Sequence, residues 1–166
     1  MEKVLVIYPE RCTGCRICEL RCAYHHTAES NPSRSRIRVI KWEDAGLNVP
    51  ATCQQCQRCT VIDPCPVDAI SRDVKTGAVL IDPKLCIGCR RCLLECVFGA
   101  PSMDPAAKVA VNCNLCNGFP KCAEHCPTHA IEYIPADEEG FARKRETLKN
   151  TSEMVRLVLP GEKKML

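Results

Sequence analysis

Four runs of cysteine dominate this sequence and limit what it can fold into. All 16 cysteines of the 166-residue chain fall into these runs. Run one is Cys12, Cys15, Cys18 and Cys22; run two is Cys53, Cys56, Cys59 and Cys65; run three is Cys86, Cys89, Cys92 and Cys96; run four is Cys113, Cys116, Cys122 and Cys126. Because only 4% of the residues are aromatic, an apolar core alone would be thin. A cysteine at about one position in ten is typical of a scaffold held together by disulfides or metal.

Disulfides, zinc and iron–sulfur clusters are the three linkages open to such a chain. Disulfides need an oxidising compartment, and the apolar run in residues 1–8 is too short for a signal peptide. Zinc sites usually combine C-x2-C pairs across long gaps. Runs one and three instead have the spacing C-x2-C-x2-C-x3-C, which resembles that of bacterial ferredoxins and their [4Fe–4S] clusters. We therefore expect iron–sulfur clusters, with a zinc-stapled binding module as the alternative from another class.

The spacing has a physical reason. Three closely spaced thiolates can surround one corner of a cluster from a single loop, while the fourth cysteine points away to a second cluster. Four complete runs therefore predict four [4Fe–4S] clusters. With about −2 for each oxidised cluster and its thiolates, the formal charge of +3 would become about −5. The basic side chains beside the runs then compensate cluster charge or are ordinary solvated charges, and no nucleic-acid partner is expected.

Short stretches between the runs have the patterns of strands and helices. Strands are expected at 4–8, 34–42 and 47–52, a hairpin at 69–82, a short pair at 102–103 and 109–112, a last strand ending at Ile134, and a helix at 19–26. In the stretch 34–42, Arg34, Arg36 and Arg38 would share one strand face. That face is either solvated or a docking surface for an acidic partner.

The chain also repeats internally. Residues 6–15 match residues 80–89, 74 positions later, and residues 65–70 match residues 126–131, 61 positions later. Two ferredoxin-sized units with eight cysteines each are the natural interpretation.

Residues 53–104 resemble a complete bacterial two-cluster ferredoxin, with a Cys-Pro-Val run end, a Thr-Gly hairpin and a second run ending near Phe98. The resemblance implies that runs two and three form one unit, which leaves runs one and four for the other. We expect an α+β fold of two bacterial-ferredoxin-like units, one inserted into the other, with a C-terminal helical extension. The expected boundaries are 1–50 plus 105–135 for the outer unit, 51–104 for the inserted unit and 136–166 for the tail.

The same resemblance implies four ligand sets, because the fourth cysteine of each ferredoxin run ligates the partner run's cluster. We name each site after the run that gives three ligands. The run-one site is Cys12, Cys15, Cys18 and Cys126; the run-four site is Cys113, Cys116, Cys122 and Cys22; the run-two site is Cys53, Cys56, Cys59 and Cys96; the run-three site is Cys86, Cys89, Cys92 and Cys65. Cys59 departs from the family pattern, which places the third cysteine of run two nearer the fourth, so its ligation is left open.

Four histidines, His25, His26, His125 and His129, are further candidate ligands. Histidine replaces cysteine in some iron–sulfur centres. Since the cysteines already suffice for four clusters, we expect the histidines to lie on the surface or to contact ligands from outside.

The nested pattern resembles the four-cluster ferredoxin-like subunits of molybdenum and tungsten oxidoreductases, formate and carbon monoxide dehydrogenases, and hydrogenases, over roughly residues 2–135. Residues 31–37, Cys53-Gln54-Gln55-Cys56 and Cys113-Asn114-Leu115-Cys116 look most like the subunit that accompanies tungsten aldehyde oxidoreductases.

This resemblance implies a cytoplasmic, non-catalytic subunit that relays single electrons between a catalytic oxidoreductase subunit and a second redox subunit, which could carry flavin. The alternative is a diffusible polyferredoxin. The chain itself has no G-x-G-x-x-G or P-loop motif, so a flavin or nucleotide site within it has no support. It also lacks an apolar stretch of membrane-spanning length.

The tail, residues 136–166, contains no cysteine. Residues 138–159 have the composition of a helix, and Phe141, Leu148 and Val155 recur every seven residues, joined by Met154 and Val158. We expect this apolar stripe to dock on another subunit, or on another copy in a longer electron wire, with a solvated tail as the alternative.

Overall fold

The computed structural model describes residues 3–158, with the side chain of Val158 excepted. Within that range the chain forms eight strands and four α-helices. The strands are β1 (Lys3–Ile7), β2 (Arg38–Trp42), β3 (Leu47–Ala51), β4 (Ile70–Arg72), β5 (Val79–Ile81), β6 (Ser102–Met103), β7 (Ala110–Val111) and β8 (Ile131–Pro135); the helices are α1 (Ile17–Thr27), α2 (Arg91–Glu95), α3 (Lys121–Glu124) and α4 (Glu138–Val158). None of the helices in the described range is long and apolar enough to cross a membrane.

The strands pair as four separate antiparallel ribbons, and β1 with β8 is the long-range one. Ile7 lies opposite Ile131, so the two ends of the cysteine-bearing chain meet in one sheet. Both faces of β1 are buried, because Val4 and Val6 pack towards α4 while Leu5 joins the main core. The sequence predicts both strands but not their pairing. The pairing, together with contact between α1 and α3, brings run one and run four together.

The second ribbon, β2–β3, corrects one expectation. The pattern predicts a strand from Arg34, but β2 begins at Arg38. The preceding residues form a turn after Pro32, and the Ser35 hydroxyl donates to the carbonyl oxygen of Ile37 at 2.7 Å while accepting from its N–H. These local side-chain bonds compete with strand pairing. The proposed arginine face is therefore not a strand face.

The other two ribbons confirm the expected hairpins. In β4–β5, Ile70 lies opposite Ile81, and the connecting turn is stabilised by hydrogen bonds between the Asp73 carboxylate and Thr76. Gly77 has φ of +71° there, a conformation that glycine adopts without strain. The short ribbon β6–β7 lies where the sequence predicts it.

The internal repeat is visible in the backbone. Gly14 and Gly88, which are 74 positions apart, both have φ of +70°, and Asp68 and His129, 61 positions apart, have φ of 49° and 52°. Left-handed conformations are uncommon for residues other than glycine. Their recurrence at both repeat spacings therefore indicates that the repeated segments fold alike.

The core has a centre on each side of the predicted unit boundary. One apolar cluster contains Leu5, Ile37, Val39, Leu115 and Ile131, and the other contains Val61, Ile70, Val79, Cys92 and Ala110. The separation is incomplete, because Ala78 of the predicted inserted unit is fully buried in the first cluster and Ala110 of the predicted outer unit belongs to the second. The division into an outer and an inserted unit stays a prediction.

The tail helix α4 forms as predicted up to the end of the described residues, and Leu159 and the Val158 side chain lie outside them. Its stripe faces its own chain, which corrects the expectation that the stripe is free for docking. Phe141 packs against Val4 and Val6 of β1, and Leu148 and Val155 line a cavity together with β1 and β3. Docking of the tail on another subunit stays a prediction that would have to use other faces of α4.

The tight packing of the first turn of α4 against the Pro135 carbonyl can be tested. Gly140 is buried, its N–H donates to the Asp137 carboxylate at 2.8 Å, and an added Cβ would collide with the Pro135 carbonyl oxygen. For Gly140→Ala we expect overpacking to cost about 1–3 kcal/mol, and amide exchange in α4 to become roughly ten- to hundredfold faster. Hydrogen exchange measured by mass spectrometry checks this. Asn150→Ala, exposed on the same helix, is the control, and equal exchange rates in both variants would contradict the prediction.

Candidate metal centres

Two of the predicted ligand sets each line a single small cavity. Cys12, Cys15, Cys18 and Cys126 of the run-one site surround one cavity. Cys65, Cys86, Cys89 and Cys92 of the run-three site surround another. In both, three cysteines come from one run and the fourth comes from the partner run. This is the arrangement that the crossing pattern predicts, and ligation itself stays a prediction.

The run-four site forms where α1 contacts α3. Cys22 of α1 and Cys122 of α3 are both buried. Burial raises the pKa of the Cys122 thiol, and negative charge at Cys113, Cys22 and Cys116 raises it further. The four sulfur atoms of the predicted set therefore lie within electrostatic reach of one another.

The run-two site includes Cys59 in spite of its unusual spacing. Burial raises the pKa of the Cys56 thiol, and negative charge at Cys59 and Cys96 adds to that rise. Burial likewise raises the pKa of Cys53 to about 11, with charge at Cys113 and Cys59 contributing. The structure thus brings Cys59 near Cys53 and Cys56, and it brings Cys96 near Cys56.

These thiols are poor acids in their buried places. Burial, followed by the charge of Glu19, raises the pKa of Cys18 to about 12. At neutral pH such a thiol gives up its proton only when a strong positive charge takes its place. Metal ligation requires thiolates, so metal binding at these sites must release protons and is coupled to folding. Groups of four soft sulfur donors fit iron–sulfur clusters.

Backbone N–H groups point at the sulfur atoms. The N–H groups of Arg36, Gln55, Ala100 and Ala110 donate to the sulfurs of Cys22, Cys53, Cys96 and Cys86 at 3.3–3.4 Å. Hydrogen bonds to cluster sulfurs are one way in which a protein raises a cluster's reduction potential. Backbone hydrogen bonds from Gly14 and Glu19 also reach Cys12 and Cys18 of the run-one site, so each of the four sites has at least one such donor.

The loop of run three shows why these turns need glycine. Gly88 has φ of +70°, and an added Cβ would lie 2.7 Å from the Lys108 carbonyl oxygen. Arg90, also left-handed with φ of 65°, then begins α2, which carries Cys92 inward. Each of the two gaps between Cys86, Cys89 and Cys92 therefore contains one residue in the left-handed conformation, which turns the three sulfurs towards one point.

One pair of histidines contacts the run-four site. The Nε2 atom of His26 lies 3.9 Å from the Cys116 sulfur, and the His25 ring packs edge-on against His26. Burial, then the positive charge of Arg36 and that of His25, lowers the pKa of His26 to about 4, so its imidazole is neutral at pH 7. His25, His26 and Cys116 lie close enough to hold a metal ion together. Because Cys116 belongs to a predicted set that already has four cysteines, the position of His26 fits the expectation that a histidine contacts a ligand without being one.

Sequence analysis missed the side chains that join the run-two and run-four sites. Gln55 is buried; its Nε2 donates to the Cys113 carbonyl oxygen at 2.8 Å, and its Oε1 accepts from the Val79 N–H at 2.8 Å. Asn112 adds a bond to the Val79 carbonyl oxygen at 2.9 Å. The signal in the sequence is the pair of amides, Gln54 and Gln55, between Cys53 and Cys56, and the amide of Asn112 directly before Cys113.

Residues 45–135 match the family described as 4Fe-4S dicluster domain, which is more than half of the chain. The chain belongs to this family. The matched segment contains runs two, three and four, and its description accounts for two clusters. The presence of [4Fe–4S] chemistry is thereby supported, and the number of four clusters stays a prediction.

Three relatives extend the comparison. A Pyrococcus furiosus protein named aliphatic sulfonate oxidoreductase, polyferredoxin-like subunit, is 42% identical over 74% of this chain and 70% of its own length. The putative electron transport protein YsaA of Escherichia coli is 35% identical over 88% of this chain and 98% of its own. The thiosulfate reductase electron transfer subunit PhsB of Salmonella typhi is 30% identical over 86% and 80%. These names bear out the expectation of a non-catalytic electron-transfer subunit.

The crossing of ligands can be tested at Cys22. Because its sulfur lies with Cys113, Cys116 and Cys122, Cys22→Ser should alter the electron paramagnetic resonance signal of the run-four site and leave the run-one signal intact. Cys18→Ser, one turn away on α1, is the matched control and should do the reverse. Loss of the run-one signal in Cys22→Ser would show that the ligands do not cross.

The unusual Cys59 has its own test. If it is a ligand, Cys59→Ser should lower the iron content of the anaerobically purified protein by about one to four atoms, because one corner of a cubane site loses its thiolate. Cys56→Ser is the matched control with ordinary spacing. Iron content equal to that of the unsubstituted protein would remove Cys59 from the ligand set.

Proposed function

We propose that the chain is the electron-transfer subunit of an oxidoreductase complex and relays single electrons through four [4Fe–4S] clusters. The observation that carries the proposal is that two of the four predicted ligand sets each surround a cavity of their own, in a chain whose 16 cysteines are all free. A zinc-stapled module would have no need for four-cysteine sets that combine two runs. The proposed architecture is one ferredoxin-like unit, 51–104, inserted into another, 1–50 plus 105–135.

The proximity of the cysteine sets to one another supports an order in which electrons would pass between the four sites. Charge at Cys18 of the run-one site reaches Cys122 of the run-four site, and charge at Cys113 reaches Cys53 of the run-two site. Cysteines of the run-two and run-three sites border the same apolar cluster. The proposed order is therefore run one, run four, run two, run three.

Each bound cluster supplies a centre that accepts and releases one electron. The protein's own residues hold the sulfurs, donate N–H groups to them and keep water away from the middle of the relay. Cys15 of the run-one site and Cys89 of the run-three site are exposed, whereas no cysteine of the run-two or run-four site is exposed. Electrons would enter and leave at the two exposed ends.

A catalytic oxidoreductase subunit is the proposed partner at one end. The relatives include subunits named for a sulfonate oxidoreductase and a thiosulfate reductase, and the likeness of residues 31–37 favours an aldehyde oxidoreductase of the tungsten type. A flavin-containing subunit or another copy of this chain is proposed for the other end, in the cytoplasm. A diffusible polyferredoxin is the second candidate, since the relative YsaA is named an electron transport protein and its name includes no partner enzyme.

Cluster content tests the proposal directly. Four cubane clusters predict about 16 iron and about 16 sulfide per chain in anaerobically purified protein, measured by elemental and sulfide analysis. About half of that content would indicate two clusters only. A folded preparation that contains zinc and no iron would contradict the proposal.

Assembly separates the two candidate functions. A subunit should elute from an anaerobic extract of its own cells together with a larger oxidoreductase, at fixed stoichiometry. Size-exclusion chromatography with immunodetection of the untagged chain makes the measurement. Elution of all of the chain as a monomer would favour the diffusible polyferredoxin.

A further inference from the structure

One cation from the tail helix reaches into the cysteine-bearing body. The Nζ of Lys144 on α4 donates to the carbonyl oxygen of Gln54 at 2.7 Å, across 90 positions of sequence. Gln54 follows Cys53 and comes two residues before Cys56. Lys144 and Cys56 line the same cavity of about 470 Å³, between α4 and the run-two loop. A residue outside every cysteine run thus lies beside the run-two site.

This ammonium has no carboxylate partner among the described residues. The ion pairs on α4 are Arg143 with Glu139 and Lys149 with Glu153. The other charged residues that line the Lys144 cavity are Lys3, Glu138 and Arg145, none of which is in an ion pair with it. A half-buried positive charge without a carboxylate is costly unless another negative charge lies near.

The negative charge near Lys144 would belong to the cysteine thiolates once they hold a cluster. Burial lowers the pKa of Lys144, and thiolate charge at Cys56, Cys53 and Cys113 raises it again. Burial raises the pKa of Cys56, and the positive charge of Lys144 opposes that rise. Lys144 therefore lies close enough to the run-two cysteines to stabilise negative charge there.

We propose that Lys144 makes a cluster at the run-two site easier to reduce, because its positive charge stabilises the negative charge that reduction adds. The inference rests on the proposed function, because it needs a cluster at that site. Reduction adds one negative charge there, so a fixed cation stabilises the reduced form more than the oxidised form. The partial burial of Lys144 limits screening by water and salt.

The consequence concerns where electrons reside in the relay. The run-two site is an interior site in the proposed order, and Gln55 ties its loop to Cys113 of the run-four site. An interior site of raised potential holds an electron between its arrival at one end and its departure at the other. The tail helix would then serve electron transfer through one side chain in addition to covering β1.

Anaerobic redox titration of the full chain, followed by electron paramagnetic resonance, tests the proposal. The run-two signal is assigned as the one altered in Cys56→Ser. In Lys144→Met that signal should titrate at lower potential, with its reduction equilibrium about tenfold less favourable, equivalent to about 59 mV for one electron. In Lys144→Arg, which keeps the positive charge, most of this loss of potential should be absent.

Controls separate charge from packing. Lys149→Met on the same helix removes an exposed lysine that pairs with Glu153, and it should leave the potential unchanged. If Lys144→Met fails to fold with its clusters, Lys144→Gln removes the charge and keeps a donor for the Gln54 carbonyl oxygen. The proposal would be overturned if folded Lys144→Met or Lys144→Gln had the same run-two potential as the unsubstituted protein. It would also be overturned if Lys144→Arg lowered the potential as much as the charge-free variant does. Absence of iron from the unsubstituted protein would instead overturn the proposed function.

Discussion

Burial of thiols in groups of four is the constraint on which the rest of this structure depends. Turns with left-handed residues, such as those at Gly88 and Arg90, aim sulfurs at a common point. The surrounding core then raises the pKa of thiols such as Cys18 and Cys53 to about 12 and 11. Groups so placed are stabilised by a cation that takes the place of their protons. Fold and metal loading are therefore expected to be coupled, and the few aromatic residues suffice because the metal centres would replace part of a core.

The junction between the run-two and run-four sites joins the two predicted units. Gln55 fixes the run-two loop to the backbone of Cys113 and to Val79, and Ala78 next to it is buried in the core that holds Leu5. A hydrogen-bonded, dry contact keeps the distance between the two sites constant. Constant distance matters because electron tunnelling falls off steeply with separation. The units are thus predicted from repeats, yet they share a core at the point where an electron would cross.

The tail helix illustrates how an apparent docking surface can be satisfied within the chain. Phe141 fills the space over Val4 and Val6, and Gly140 allows the helix to begin against the Pro135 carbonyl. Apolar burial of this kind stabilises by about 25 cal/mol per Å². The same packing delivers Lys144 to the run-two loop. A helix with no cysteine therefore bears on a cysteine site through electrostatics.

The sequence by itself determined the four cysteine runs, the hairpin around Gly77, and the helices α1 and α4, because each depends on spacing over a few residues. Tertiary structure decided the rest. Pairing of β1 with β8 and the bond from Lys144 to Gln54 join positions more than 80 residues apart, and no local period encodes such contacts. The stretch beginning at Arg34 shows the reverse error, since its alternation predicts a strand but Ser35 bonds to the backbone of Ile37 instead. The candidate metal ligands can be predicted from the local spacing of the cysteines. The charges and amides that surround them depend on which distant segments the core brings together.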